Sequence, residues 1–358
     1  MTGRAIDQVL PHPSDPILHE SYVGSAVEYL ELAEKANGRI PKPASFSYIW
    51  GDVARELDRV RPRARISNLE TSITTSEAFD PKGINYRMHP GNAPCLSAAK
   101  IDCCMLANNH VLDWGYAGLT ETLATLHRAG IKTCGAGQNL AEALEPAVIE
   151  LGRGARALVF GLGMTDSGVS RDWAAMSSKP GIAFLPDLSD ASVRGIAENV
   201  WTWKRRGDIA ILSIHWGRNW GYRISDAQRG FAHAVIDAAG IDVVHGHSSH
   251  HRKAIEVYRN KPILYGCGDF LNDYEGIKGY EEFRSDLVLM YFVTINLATG
   301  SLVRLEMTPL EIKRFRLNYV SRRDAAWLRD TLTQEGRQAG TEVGLSGDNR
   351  LLLQWQQR

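Results

Sequence analysis

Seven short apolar runs, at 63–68, 101–107, 131–134, 156–162, 208–215, 241–245 and 262–267, constrain this chain more than any other feature. They are rich in Ile, Val, Leu and Cys with little alternation, the pattern of strands buried on both faces. Helical patterns lie between several of them. Residues 116–129 put Leu119, Leu123 and Leu126 on one face and stop at Gly130; 190–203 is a second helix. Ser225 caps a third at 226–239, which stops at Gly240. Strand, loop and helix in repetition imply an α/β fold with parallel strands. Such sheets bind ligands past the carboxyl ends of their strands, and polar residues gather there in this chain. Asn68, Leu69 and Glu70 follow the first run, and Asn108, Asn109, His110 and Asp113 follow the second. His215 ends the fifth run, and His245, His247, Ser248, Ser249, His250 and His251 end or follow the sixth.

The flanks read differently. Residues 1–62 form a loop-rich entry with helices at 25–36 and 51–60, interrupted by Pro11, Pro13, Pro16, Pro41 and Pro43, and show no buried-strand pattern. After Asp269 the alternation lengthens, and 287–296, 301–309 and 314–320 predict antiparallel strands. An amphipathic helix at 324–338 follows, and the polar residues after it are expected to be loosely held. With no repeat, low-complexity segment or long linker, the chain reads as one domain over 1–320 with a C-terminal helix and polar tail over 321–358.

Lys+Arg and Asp+Glu are both 41, which argues against nucleic acid or an acidic membrane surface as a partner. No run approaches the ~20 apolar residues of a membrane span, and the first residues lack a signal-peptide pattern. The five cysteines form no CxxC pair, and Cys103, Cys104 and Cys267 lie in apolar runs, so buried free thiols and a cytoplasmic location are expected.

Carboxylate, amide and imidazole groups together suit a hard or borderline divalent metal. Each also has a plainer reading: Glu70 as a turn cap, Asn109 as a left-handed turn residue, His110 bonded to backbone, His245 packed and His251 facing solvent. Arg87, beside Tyr86 and His89, would grip an anionic substrate bidentately or join a surface ion pair. Trp216, Trp220 and Tyr222, with Arg218 and Arg223 among them, would wall a pocket.

Five motifs then occur in order: Asn68-Leu69-Glu70; Ala107-Asn108-Asn109-His110 with Asp113 and Gly115; His215-Trp216-Gly217; Gly246-His247 with His250; and Tyr265-Gly266-Cys267-Gly268-Asp269-Phe270. Together they resemble the CapA/PgsA-like poly-γ-glutamate capsule biosynthesis proteins, a branch of the metallophosphoesterase superfamily. The resemblance implies a four-layer α/β/β/α sandwich with a metal site at strand ends. It implies Glu70, Asn109, His215, His247 and His250 as ligands of divalent metal, normally two ions (Mn, Fe, Zn or Mg). His110 stands where a general acid or an outer partner of a metal ligand is expected, with Asp113 to orient it, and the substrate would be an anionic polymer or phosphoester. The alternative is a polymer-binding or assembly protein that keeps the pocket without the chemistry. There are three departures. The family's first strand, ending in Gly-Asp and followed by a methionine that coincides with Met1, is expected to lie upstream or to be lacking. Ser248 and Ser249 stand where many relatives have His and Pro, and Asp269 where asparagine is commoner.

Overall fold

The computed structural model describes residues 1–356. All seven apolar runs contain strands, distributed over two sheets. The first sheet is parallel throughout, in the order Ile66–Asn68, Cys103–Met105, Lys132–Cys134. The second has six strands in the order Ile255–Tyr258, Lys261–Leu264, Val243–His247, Ile209–His215, Ala155–Gly163, Ala147–Gly152. Its four central strands are parallel and its two edges antiparallel. Those edge strands were not expected: each is the short partner of a hairpin, where local alternation is weak.

Period-two alternation sorts the second sheet's residues between two cores. Ala157 and Val159 pack toward the first sheet, together with Cys103–Ala107 and with Leu119, Leu123 and Leu126 of the helix Gly115–Arg128. Leu158, Phe160 and Leu162 face the other way, against the helices Asp190–Trp203 and Asp226–Ala239. Ala210, Leu212 and Ile214 share that outer core, whereas Ile211 packs toward the first sheet. The chain is therefore α/β with core on both faces of its main sheet. Gly135 and Gly161 let the two sheets close at one side: a Cβ on Gly161 would lie 2.8 Å from the Gly135 backbone. On the other side, by the Ile66 strand, the sheets stand apart around a cavity of about 630 Å³ lined mainly by apolar groups.

The C-terminal part differs from expectation. Beyond the helix Arg322–Gly336, the residues expected to be loosely held form the strands Thr341–Leu345 and Leu351–Trp355. They complete a third, antiparallel sheet with Leu287–Ile295, Leu302–Ile312 and Leu317–Tyr319. A boundary at 320/321 thus cuts through one sheet. The buried Leu351 and Leu353 flank the half-buried Leu352, an apolar run too short to stand out in a polar tail. The thiol expectation holds: all five cysteines are free, and Cys95, Cys103, Cys104 and Cys134 are buried. Among the described residues no helix is long and apolar enough to cross a membrane.

The entry segment is not peripheral. Every residue of the helix Ala5–Val9 is buried, and the chain ahead of it is fixed by Arg4. Its guanidinium bonds Asp273 at 2.6 and 2.8 Å and Glu20 at 3.0 Å, and lies 3.8 Å above the Tyr29 ring. Removing one partner of a buried ion pair leaves an uncompensated charge. Asp273→Ala is therefore expected to lower unfolding free energy in urea by about 3–5 kcal/mol, and adding Arg4→Met to recover a large part of that loss.

Candidate functional site

The site is built by register. In the second sheet Ser213 pairs with His245 and His215 with His247. Because Ala210, Leu212 and Ile214 point to the outer core, alternation turns Ser213 and His215 to the inner face, and the same holds for His245 and His247 around Val244 and Gly246. Four polar side chains thus share one patch at the carboxyl ends of two adjacent parallel strands. The first sheet ends opposite them. Asn68 stands level with Met105, so Glu70 and Asn109, just past those strands, reach the same place.

Contacts follow from this. His215 Nε2 lies 3.0 Å from Asn109 Oδ1 and 3.8 Å from Glu70 Oε1. Its Nδ1 is 2.8 Å from His247 Nδ1. His247 Nε2 is 3.1 Å from Ser213 Oγ, which is 2.9 Å from His245 Nδ1. These bonds form a directional chain. If His215 donates Nε2–H to Asn109, its Nδ1 accepts from His247, whose Nε2 accepts from Ser213, and Ser213 accepts from His245. If His215 Nε2 instead presents a lone pair, every proton in the chain reverses. Burial holds the rings neutral: His215 and His247 lie well below the ordinary imidazole range, and His245 is pushed down to about 4.

Glu70 is buried, accepts from Asn68 Nδ2 at 3.0 Å and is pushed up to about 7, chiefly by desolvation. His250 pairs with Asp269 at 3.0 Å. Burial depresses this imidazole, but the charge and hydrogen bond of Asp269, joined by Glu70, outweigh it and leave it raised. Asp269 is lowered despite its burial, by the same pair and by Asn272. This gives a role to a residue whose part was open in the sequence.

His110 and Asp113 form the expected pair, Nδ1 to Oδ2 at 2.7 Å. Asp113 also accepts from Tyr86 N at 2.6 Å and faces Lys82 Nζ at 2.5 Å. Burial pushes His110 down to about 4 against the pull of Asp113, and Lys82 adds to the depression. At neutral pH the ring is uncharged. With Nδ1–H given to Asp113, Nε2 is left with a lone pair that can accept a proton. Lys82, which also bonds the Asn109 carbonyl, was missed because a single lysine in a loop carries no pattern.

Other expectations land elsewhere. Arg87 bonds the Ser76 and Asp15 carbonyls, each at 3.1 Å, and its guanidinium sits 3.9 Å above Trp114, so both arms of the fork already hold backbone. Trp216 is core, with Nε1 on the Tyr265 carbonyl. Trp220 stacks on Tyr280 at 4.0 Å beside His250 and His251. His251, expected to face solvent, is buried with Nδ1 on the Arg252 carbonyl. His245 lies within its strand and is part of the imidazole chain, not simply packed.

As a metal centre, the donor set has the right chemistry at one point, where the Glu70 carboxylate, the Asn109 amide oxygen and the neutral His215 imidazole meet. Among the described residues, however, no three His, Cys, Asp or Glu side chains gather around a common centre. Both nitrogens of His247 are engaged within the protein, and His250 Nδ1 is held by Asp269. A ready-made two-ion cage is absent among the described residues.

Two outcomes follow for the ionisable groups. His110, His215, His245 and His247 have folded-state pKa values below the ordinary ~6.5, so between that value and about 4 the unfolded chain binds protons that the folded chain refuses. Stability therefore falls as pH drops through that window. The raised Glu70 and His250 oppose this, but with His251, also pushed down to about 4 by burial, five histidines outnumber two opposing groups. Melting temperature is expected to fall between pH 7 and pH 5, with a shallower slope for His245→Gln. Lys82→Met is expected to raise the His110 pKa, read from its ring protons by NMR, because a neighbouring cation is removed.

A sequence model of the family described as bacterial capsule synthesis protein PGA_cap matches residues 1–274. A probable polyglutamine synthesis accessory protein of Mycobacterium tuberculosis is 47% identical over 353 residues, covering 98% of this chain and 93% of that protein. The PGA biosynthesis protein CapA of Bacillus subtilis is 28% identical over 320 residues, 87% of this chain and 76% of its own length. The capsule biosynthesis protein CapA of Bacillus anthracis is 28% identical over 232 residues, 65% of this chain and 53% of its own. All five motifs lie within the matched span, and the chain belongs to the PGA_cap family of bacterial capsule synthesis proteins.

Proposed function

We propose that the chain serves poly-γ-glutamate or related capsule polymer synthesis as a metal-dependent hydrolase of phosphoesterase type, acting on an anionic polymer or a phosphoester. The two-sheet arrangement with core on both faces of the main sheet supports reading the fold as the metallophosphoesterase sandwich. The observation that carries the functional reading is the meeting of Glu70, Asn109 and His215 beside the His110–Asp113 pair. One divalent cation would be held by those three groups; His247 and His250 would join only by giving up their present partners. When bound, such an ion polarises a substrate oxygen and lowers the pKa of bound water.

The protein's own groups do the remainder. Asn68 orients the Glu70 carboxylate. His247, Ser213 and His245 fix which nitrogen of His215 carries its proton, as outer partners of ligating imidazoles do. Neutral His110, held through Nδ1 by Asp113, accepts a proton at Nε2 and, once charged beside Asp113, returns it to a leaving oxygen. His250, paired with Asp269, offers positive charge to an anionic substrate. The rival reading, a non-enzymatic polymer-binding partner, is favoured by the engaged nitrogens of His247 and by the word "accessory" in the name of the mycobacterial relative.

Elemental mass spectrometry of the purified chain and of Glu70→Gln separates the two. The expected outcome is about one divalent ion per wild-type chain, lost in the variant. Hydrolysis of bis(p-nitrophenyl) phosphate is expected to fall by about 100-fold or more with it. A metal-free, inactive wild type that still binds poly-γ-glutamate would overturn the enzymatic reading in favour of its rival.

A further inference from the structure

At the His250 end of the site two aromatic side chains meet that are held in very different ways. The half-buried ring of Trp220 packs 5.5 Å from the His250 imidazole and lies nearly parallel to His251 at 6.0 Å. Its backbone is tied to the loop that carries those histidines. The Asn219 carbonyl accepts from His250 N, and the Gly217 carbonyl from Ser248 Oγ, each at 3.0 Å. Trp220 is therefore a fixed part of the site's surroundings. Tyr280 lies flat on the indole, with ring centroids 4.0 Å apart and planes within 3°, and 48% of its surface is exposed.

Tyr280 belongs to a strap that is fixed at both ends and loose between them. At its start the Asp273 carboxylate holds Arg4, and the Glu275 carboxylate accepts from Arg314 N and Phe315 N at 2.7 and 2.6 Å. At its end the buried Arg252 donates to the Phe283 and Arg284 carbonyls at 2.5 and 3.0 Å. Residues 276–282 between them are all exposed. Among the described residues, no hydrogen bond or ion pair joins 276–282 to anything outside 274–284. Gly276 and Gly279 have φ of 85° and 120°, a conformation that leaves the strap two pivots where other residues would be strained. What holds its middle to the site is one aromatic stack, an interaction that shifts an equilibrium by only about 2- to 12-fold.

Glu70, His110, His215 and His250 are all buried, so a polymer chain cannot lie across them unless a covering element moves. The strap is also acidic where it covers the site: exposed Glu281 and Glu282 follow Tyr280, whereas exposed Arg218 and Arg223 flank Trp220 in sequence. We propose that Trp220 is a binding shelf for the anionic polymer and that Tyr280 occupies this shelf in the resting protein. The strap swings out about Gly276 and Gly279, carrying its carboxylates away. The planar amides and methylene groups of the polymer then take the place of the phenol ring on the indole, and Arg218 and Arg223 pair with polymer carboxylates. The inference rests on the reading that an anionic polymer is the substrate, but not on the metal or on hydrolysis.

The test is fluorescence anisotropy of end-labelled poly-γ-glutamate titrated with the wild-type chain, with Tyr280→Ala and with the double variant Tyr280→Ala/Trp220→Ala. Tyr280→Ala uncovers the shelf, so affinity is expected to rise by about 2- to 12-fold, the population that the stack withholds. The double variant has no shelf to uncover and is expected to lose that gain. Should the double variant not fold, Tyr280→Ala decides alone, because its side chain is exposed. Equal or weaker binding by Tyr280→Ala, a gain kept in the double variant, or no polymer binding by any of the chains would overturn the proposal. Bis(p-nitrophenyl) phosphate hydrolysis by the same wild-type preparation reads the hydrolase assignment separately, since its absence leaves these affinities unchanged.

Discussion

The in-register parallel pairing of Ile209–His215 with Val243–His247 is the constraint from which the rest of the site follows. Side chains alternate across a strand, so a one-residue slip of either strand would turn its own pair, Ser213 and His215 or His245 and His247, into the outer core and bring apolar residues to the site. The outer core guards against that slip. Leu212, Ile214 and Val244 are buried against two helices, and moving them to the inner face would expose the helices' apolar sides. The hydrophobic core thereby holds the imidazoles in place, and the imidazoles in turn are kept neutral by its low polarity.

The same low polarity gives the site two kinds of ionisable group. Rings that lack a carboxylate partner, His215, His245 and His247, are driven down by desolvation. His250, with Asp269 against it, goes the other way. Glu70 rises toward neutrality because its desolvation outweighs the nearby positive charge of His250 and Lys82. Environment, not residue type, divides the cluster into imidazoles held neutral and one whose charged form is favoured.

Much of this was legible in the sequence, and the parts that were not share a cause. The strands, the central helices and the gathering of Glu70, Asn109, His110, His215, His247 and His250 came from local periodicity and motif order. Lys82 and the Ser213 relay were hidden, because they matter only through partners about 30 residues away. Arg87 looked available for an anion, yet its fork is taken by the carbonyls of Ser76 and Asp15, a contact that no linear pattern announces. The C-terminal hairpin was likewise hidden, since its few apolar residues have meaning only beside Leu302–Ile312.

By itself the sequence determined the strand–helix order, the parallel character of the main sheet and which polar residues sit at strand ends, since these depend on near-neighbour sterics and on the periods of helix and strand. The tertiary structure alone decided that Asn109, His215, His247, Ser213 and His245 link into one chain, that burial favours the neutral form of His110, that Asp269 serves His250, and that the Arg87 fork is taken by backbone. Those properties arise from burial and from hydrogen bonds between distant segments. Such terms exist only once the chain has closed on itself.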